Sequence, residues 1–275
     1  MYTVLDKDTI EMEIVPYIPA PKRGFAPTVP LSEIIDAVLY KLKTGVQWEQ
    51  LPVGSLFSGK VLTWQGVYYH FNKWSRSCTF RDCWTKFLDR HRGKLDISSA
   101  DLDGSHTPAI RGGQGVACQG RKKRKTTNAL YLTDRQGLPL AMSEPVCGNH
   151  NDLYDIEVQF EVVTATLERA DIPVEGLFLN ADAGFDSREF RRACGEKEVN
   201  ANICFNKRNG DTDRYEYFDQ DLYAERYAIE RTNAWMDSYR SLLNRFDTTI
   251  RSWKALNYLA FIVIAAKKLL KKKSK

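Results

Sequence analysis

The chain reads as a mixed α/β core preceded by a small all-helical region, and three observations predict this. Between Ser32 and Leu88, apolar residues recur at helical spacing in three separate stripes. After Gly93 the period shortens to that of strands: Ile97 to Leu102, then Thr127 to Thr133 and Leu138 to Ser143 around the turn Asp134-Arg135-Gln136-Gly137. Helix and strand patterns then alternate, with a helix over Tyr154 to Ala170, strands at Leu177 to Ala181 and Ala201 to Phe205, and two closing helices near Leu222 to Phe246 and Trp253 to Leu270. No internal repeat interrupts this order.

Each element has its local cause. Residues 1–29 carry Pro16, Pro19, Pro21 and Pro27 around Lys22-Arg23-Gly24, with Pro30 just beyond, and predict an extended arm. The first helical stripe is Ile34, Ile35, Val38, Leu39 and Leu42; Ser32 can cap it, Glu33 and Asp36 suit its positive start, and Gly45 ends it. Trp64, Val67, Tyr68, Phe71 and Trp74 form the second stripe, and Phe80, Trp84, Phe87 and Leu88 the third. Together they predict a helical domain over residues 30–93 and a sheet domain with a basic tail over residues 94–275.

Composition narrows the function classes. A chain of 275 residues with 43% hydrophobic and 27% charged residues can bury a core, which excludes fibrous and disordered classes. The net charge of +5 falls to −1 without Lys267, Lys268, Lys271, Lys272, Lys273 and Lys275, and to −6 without Arg121, Lys122, Lys123, Arg124 and Lys125 as well. Two basic patches on an acidic body suit a polyanion, because each neutralised phosphate releases counterion. Solvated charge runs would look the same on charge alone. The six cysteines include no C-x-x-C pair, and Cys78, Cys83 and His91 lack the spacing and fourth ligand of a zinc site. Acids at Asp6, Asp8, Glu11 and Glu13 argue against a secretory signal, so the thiols are expected in a reducing cytoplasm. The uncharged stretch Ala255 to Ala266 is 12 residues, short of the roughly 20 that span a bilayer, and predicts a buried core helix.

Three acids stand out. Asp103 lies after the first predicted strand, and Asp182 directly after the apolar run Leu177 to Ala181; strand ends are where α/β folds gather ligands. Asp186-Ser187-Arg188-Glu189 offers a capping box just beyond. Taken singly, each aspartate could be a loop or cap residue. On a continuous helix, Tyr223, Arg226, Glu230 and Asn233 share one face, and Arg226 with Glu230 alone would be an ordinary surface ion pair. Three converging carboxylates would hold hard divalent ions, and two such ions roughly 3.5 to 4 Å apart support in-line displacement at phosphorus.

These residues carry a resemblance. Thr44-Gly45-Val46-Gln47-Trp48-Glu49-Gln50-Leu51-Pro52 and Tyr68-Tyr69-His70-Phe71-Asn72-Lys73-Trp74 are similar to the helix-turn-helix-like domain of bacterial DDE transposases, in particular the insertion-sequence family numbered five. Asp103-Gly104-Ser105-His106, Asn180-Ala181-Asp182-Ala183-Gly184-Phe185-Asp186-Ser187 and the block from Tyr223 through Arg226 and Glu230 to Trp235 resemble its three acid motifs. The resemblance runs from about residue 24 to about residue 265. It implies an RNase H-like sheet flanked by helices, with Asp103, Asp182 and Glu230 catalytic and binding two Mg²⁺ ions, Mn²⁺ able to substitute. It further implies water attack at the element's end and then attack of the freed 3′-hydroxyl on target DNA. The partners it implies are double-stranded DNA, as terminal inverted repeats and as target, and a second copy of the chain on paired ends; the setting is the bacterial cytoplasm, with the nucleoid and no membrane. The family's Lys seven residues after the Glu is Asp237 here, with Arg240 near, and Asp101 rivals Asp103 as the first ligand.

DNA contacts are expected from Lys73, Arg76, Arg121, Lys122, Lys123, Arg124, Lys125, Tyr223 and Arg226. On the second helix, Gln65, Tyr69, His70, Asn72 and Lys73 form the polar face, suited to phosphates and base edges. His106 and His150 read as loop histidines, His106 the better placed to support the site. Two rivals stay open: a DNA-binding regulator that has lost activity, and a nuclease of the same fold that does not join strands.

Overall fold

A computed structural model describes residues 3–20, 27–210 and 218–270. Helices α1 Lys7–Glu13, α2 Leu31–Thr44, α3 Val53–Leu56, α4 Trp64–Arg76 and α5 Thr79–His91 come first. Strands β1 Ala100–Pro108, β2 Ala117–Gln119, β3 Arg124–Asp134, β4 Pro139–Met142 and β5 Val146–Cys147 follow. Then come α6 Ile156–Arg169, β6 Phe178–Ala181, α7 Arg188–Glu196, β7 Asn200–Ile203, α8 Gln220–Ala224, α9 Ala228–Asp237, α10 Arg240–Leu243 and α11 Ile250–Leu269. The chain divides into two compact units: residues 1–87 with 236–275, and residues 88–235.

The helical unit is organised around α11. Its residues Ala255 to Ala266 are buried without a break, the pattern of a helix enclosed on every side. Helices α2, α4 and α10 pack against it, and Trp84 meets Phe261 edge to face at 5.6 Å. This need for cover places residues 236–270 with the helices, whereas their sequence position alone placed them with the sheet domain. No helix among the described residues is long and apolar enough to cross a membrane.

The expected extended arm is partly a packed element. Asp6 caps α1 by accepting from the Thr9 N–H at 2.8 Å, and Val4, Ile10 and Ile14 are buried. The prolines of this segment fall after α1, so they do not prevent it. Ser32 does not cap α2, whose N-cap is Pro30; its hydroxyl donates to the Glu11 carboxylate at 3.1 Å and ties α2 to α1. Gly45 ends α2 in the left-handed region at φ +69°, as expected of a C-terminal glycine.

In the second unit the sheet order is β2-β3-β1-β6-β7, with β4 and β5 also on β3. β3 runs antiparallel to β1, while β6 and β7 run parallel to β1, so the sheet is mixed. Alternation along the strands decides the faces. Leu102, Ala181 and Ile203 form one apolar row in register, while α6 packs on β3 and β4 and α7 on β7. The β3–β4 turn is the predicted one, with Gly137 at φ +80°. The expected helix over Leu222 to Phe246 is interrupted instead: a 3-10 turn, Glu225–Tyr227, separates α8 from α9, and α10 is separate again.

Below β6, the Asp186 carboxylate is wholly buried and accepts two hydrogen bonds from Arg191, each at 3.0 Å, and one from the Asn206 N–H at 2.8 Å. A buried ion pair broken on one side leaves an uncompensated charge, so Asp186→Ala is expected to destabilise the protein by about 3 to 5 kcal/mol in urea unfolding. Glu157→Ala, which opens the exposed pair with Arg192, is expected to leave the midpoint nearly unchanged.

Candidate active site

Asp103 does not follow its strand; it lies inside β1, which continues to Pro108 because β3 pairs with it along its whole length. What ends near Asp103 is the neighbour on the other side. β1 pairs with β6 only over Ala100 to Leu102, the last pair being Leu102 with Ala181. Asp103 and Asp182 are therefore the next residues on two parallel neighbours, at the carboxyl end of β6, with no ladder between them. Parallel neighbours lie about 5 Å apart, so the two carboxylates share one opening.

Local bonds orient both acids. Asp103 Oδ1 accepts from the Gly104 N–H at 2.9 Å, and Asp182 Oδ1 accepts from the Gly184 N–H at 2.7 Å, capping the 3-10 turn Ala183–Phe185. Ser187, as expected, caps α7 through the Phe190 N–H at 3.1 Å. Burial pushes Asp103 up to about 6; the Arg226 guanidinium and the Gly104 N–H oppose this, and the carboxylates of Asp182 and Asp152 add to it.

Asp152 escaped the sequence reading. Its Oδ1 accepts from Asn128 Nδ2 at 2.8 Å and lies 4.0 Å from His106 Nε2. A Cβ on Gly104 would sit 2.1 Å from that Oδ1, so the glycine makes room for it. A glycine inside a strand was the available signal, since it marks a close approach. His106 Nδ1 also lies 3.3 Å from Thr126 Oγ1, and His150 stacks on Tyr154.

Glu230 sits exposed on α9, and its placement differs from a continuous-helix reading. Three residues of 3-10 turn advance the chain by about 120° each where an α-helix turns about 100°, so Tyr223 and Arg226 are rotated by up to about 60° from where a continuous helix would put them relative to Glu230. Arg226 turns toward Asp103 and Asp101 and stacks over the Tyr223 ring at 5.7 Å. The β3–β4 turn holds α9: the Thr232 hydroxyl donates to the Gly137 carbonyl, and a Cβ on Gly137 would lie 2.6 Å from the Ala228 oxygen.

The paired aspartates are hard oxygen donors, partly buried and aimed into one opening, which fits a divalent cation. Among the described residues no group of three His, Cys, Asp or Glu side chains lies close enough to hold an ion, so the pair stands without Glu230. The rival Asp101 is 1% exposed, and its Oδ1 accepts from Asn180 Nδ2 at 2.9 Å.

Arg121 to Lys125 are all exposed at the β2–β3 hairpin tip, with Lys123 at φ +48°. Thr126, next along β3, pairs with Pro108, so the basic tip begins more than about 17 Å along the sheet from Asp103, in the direction of the carboxyl end of β1. On α4, Val67, Phe71 and Trp74 are buried while Gln65, Tyr69, Lys73 and Arg76 are exposed, one stripe at helical spacing. Tyr68, expected in the apolar stripe, is exposed and packs edge to face on Trp48. Lys267 and Lys268 are exposed on α11; Lys271, Lys272, Lys273 and Lys275 lie outside the described residues.

Two family models match the sequence. One, described as "Putative transposase of IS4/5 family", matches residues 12–84; the other, described as "Transposase DDE domain", matches residues 179–267. No curated protein matches. Solved structures of the Mos1 transposase align over most of the chain with low similarity. The paired-end complex with the left transposon end has 12% identity and a TM-score of 0.30, covering 92% of this chain and 83% of that one. The strand transfer complex has 11% identity and a TM-score of 0.31, covering 94% and 83%, and the paired-end complex with Mn has 13% and 0.30, with the same coverage.

The raised Asp103 carboxyl sets a pH dependence. Its contribution to stability is complete below its ordinary 3.8 and is lost as pH rises through about 6, because the fold then holds a buried charge. In chelator, Asp103→Asn is expected to be more stable than the parent by about 1 to 2 kcal/mol at pH 8, the difference closing by pH 4 in urea titrations. A destabilised variant at pH 8 contradicts this electrostatic account.

Proposed function

We propose that the chain is a DDE transposase of the IS4/5 type and that Asp103, Asp182 and Glu230 are its catalytic acids. The observation that carries this reading is the adjacency of Asp103 and Asp182 beyond the Leu102–Ala181 pair. Glu230 is included because it lies in the Tyr223 to Asn233 block, inside the region matched by the DDE domain.

Asp103 and Asp182 would hold Mg²⁺ or Mn²⁺ with Glu230; a divalent ion there supplies Lewis-acid activation of the attacking oxygen and neutralises the leaving one. The chain's own groups do the rest. The Gly104 and Gly184 N–H groups keep the two carboxylates facing the opening. Arg226, propped by Tyr223, presents a guanidinium beside the acids for a phosphate oxygen. The basic tip Arg121 to Lys125 tracks the DNA backbone, and the α4 stripe with Lys73 and Arg76 meets the terminal repeats. The partner is double-stranded DNA in the bacterial nucleoid, with two copies of the chain pairing the ends and two ions per site.

The test uses a labelled terminal-repeat duplex. Asp103→Asn, Asp182→Asn and Glu230→Gln are each expected to lower cleavage and joining by about a thousandfold or more while binding persists in gel shift. Binding without cleavage in the parent protein supports the regulator reading, and no joining from a pre-cut 3′-hydroxyl end supports the nuclease reading. Replacing Lys122, Lys123 and Arg124 by Gln is expected to flatten the salt dependence of binding by about 2 to 3 in log–log slope.

A further inference from the structure

The row of residues just before the acid-bearing positions is polar and buried. Asp101, Asn180 and Asn202 are partners in register across β1, β6 and β7, and are 1%, 0% and 0% exposed. Asn180 Nδ2 donates to Asp101 Oδ1 at 2.9 Å, and Asn202 Nδ2 donates to Asn180 Oδ1 at 2.8 Å. The ladder continues off the sheet: Asn202 Nδ2 also donates to the Asp219 carbonyl at 3.0 Å, while the Asp219 N–H donates to Asn202 Oδ1 at 2.8 Å. Asn180 Nδ2 reaches the Leu222 carbonyl at 3.4 Å. Asp219 in turn caps α8, accepting from the Leu222 N–H at 2.9 Å.

Burying three polar side chains in a sheet costs free energy unless each is bonded, so an apolar row would be the simpler way to build a core. The ladder adds direction. Apolar contacts let a short helix slide, whereas paired donors and acceptors admit one register. We infer that Asp101, Asn180 and Asn202 are positioning residues that clamp the segment Asp219 to Arg226 to the sheet, setting Arg226 and the helix with Glu230 relative to Asp103 and Asp182. This inference rests on the catalytic reading above for its effect on cleavage, but the clamp itself is independent of it. It also assigns Asp101, the rival first ligand, to the end of the ladder.

The experiment exploits the direction of the bonds. Asn180→Asp sets two carboxylates against each other at the Asp101–Asn180 contact; combining it with Asp101→Asn restores one donor and one acceptor there, with the direction reversed. At saturating DNA, Asn180→Asp is expected to cleave roughly 10- to 100-fold more slowly with the half-saturating DNA concentration unchanged, and the double variant to recover to within about threefold of the parent. Amide exchange at Leu222 and Tyr223 should speed up in the single variant and slow again in part in the double, in which the contact between residues 101 and 180 is restored while the one from residue 180 to the Leu222 carbonyl is not. Parent-like cleavage and exchange in Asn180→Asp would overturn the inference, and so would a double variant that folds yet cleaves no faster than Asp103→Asn, since Asp101 would then act by its charge. Should Asn180→Asp fail to fold, the double variant alone decides by the same criterion. Should the parent neither cut nor join, the exchange rates still decide the clamp, and the transposition reading falls separately.

Discussion

Three residue pairs carry the architecture of the site. The parallel contact of Ala100, Asp101 and Leu102 with Leu179, Asn180 and Ala181 is short, and its shortness matters as much as its existence. Because β6 stops at Ala181 while β1 continues against β3, Asp103 keeps backbone support on one side and meets an opening on the other. The same register makes one row, Leu102, Ala181 and Ile203, apolar and the row before it polar and bonded to the segment around α8. One alignment therefore sets the two acids, the core and the clamp together, and a slip by one residue would turn all three to the wrong face.

The opening is electrostatically costly. Asp101, Asp103 and Asp134 are all pushed up to about 6, burial being the largest cause in each. Asp134 spends its carboxylate on the backbone, accepting from Leu138 and Asp96 and so closing the β3–β4 turn. Asp101 spends one oxygen on Asn180. Asp103 has one short backbone bond and two neighbouring acids against a single guanidinium. Asp101 likewise faces two acids, Glu225 and Asp134, against Arg226, but Asp103 alone of the three is not fully buried, so it is the one a cation can reach, and functional sites tend to be where such imbalance is kept.

The helical unit follows a different logic, that of aromatic and aliphatic packing around a helix buried on all sides. Trp74, Phe71 and Phe80 interlock within it, and Trp84 stacks on Phe87 at 5.7 Å. This leaves the opposite face of α4 free to carry Gln65, Tyr69, Lys73 and Arg76 into solvent. A rigid stripe of this kind suits groove contact, since its side chains start from a fixed backbone.

Period and punctuation in the sequence determined the helices α2, α4, α5 and α6, the β3–β4 turn at Gly137, the strand before Asp182 and the buried character of Ala255 to Ala266, because each depends on neighbours within a few residues. The motif residues Asp103, Asp182 and Glu230 could be named for the same reason. The tertiary structure alone decided the rest. Whether α11 joins the helices, whether Asn180 is a stray polar residue in an apolar run or the middle of a ladder, and why Gly104 must be small for Asp152 all turn on partners distant along the chain. The break at Glu225–Tyr227 belongs here too: helical counting assumes an unbroken turn of about 100° per residue, and a single 3-10 turn rotates the residues before it by up to about 60° relative to Glu230.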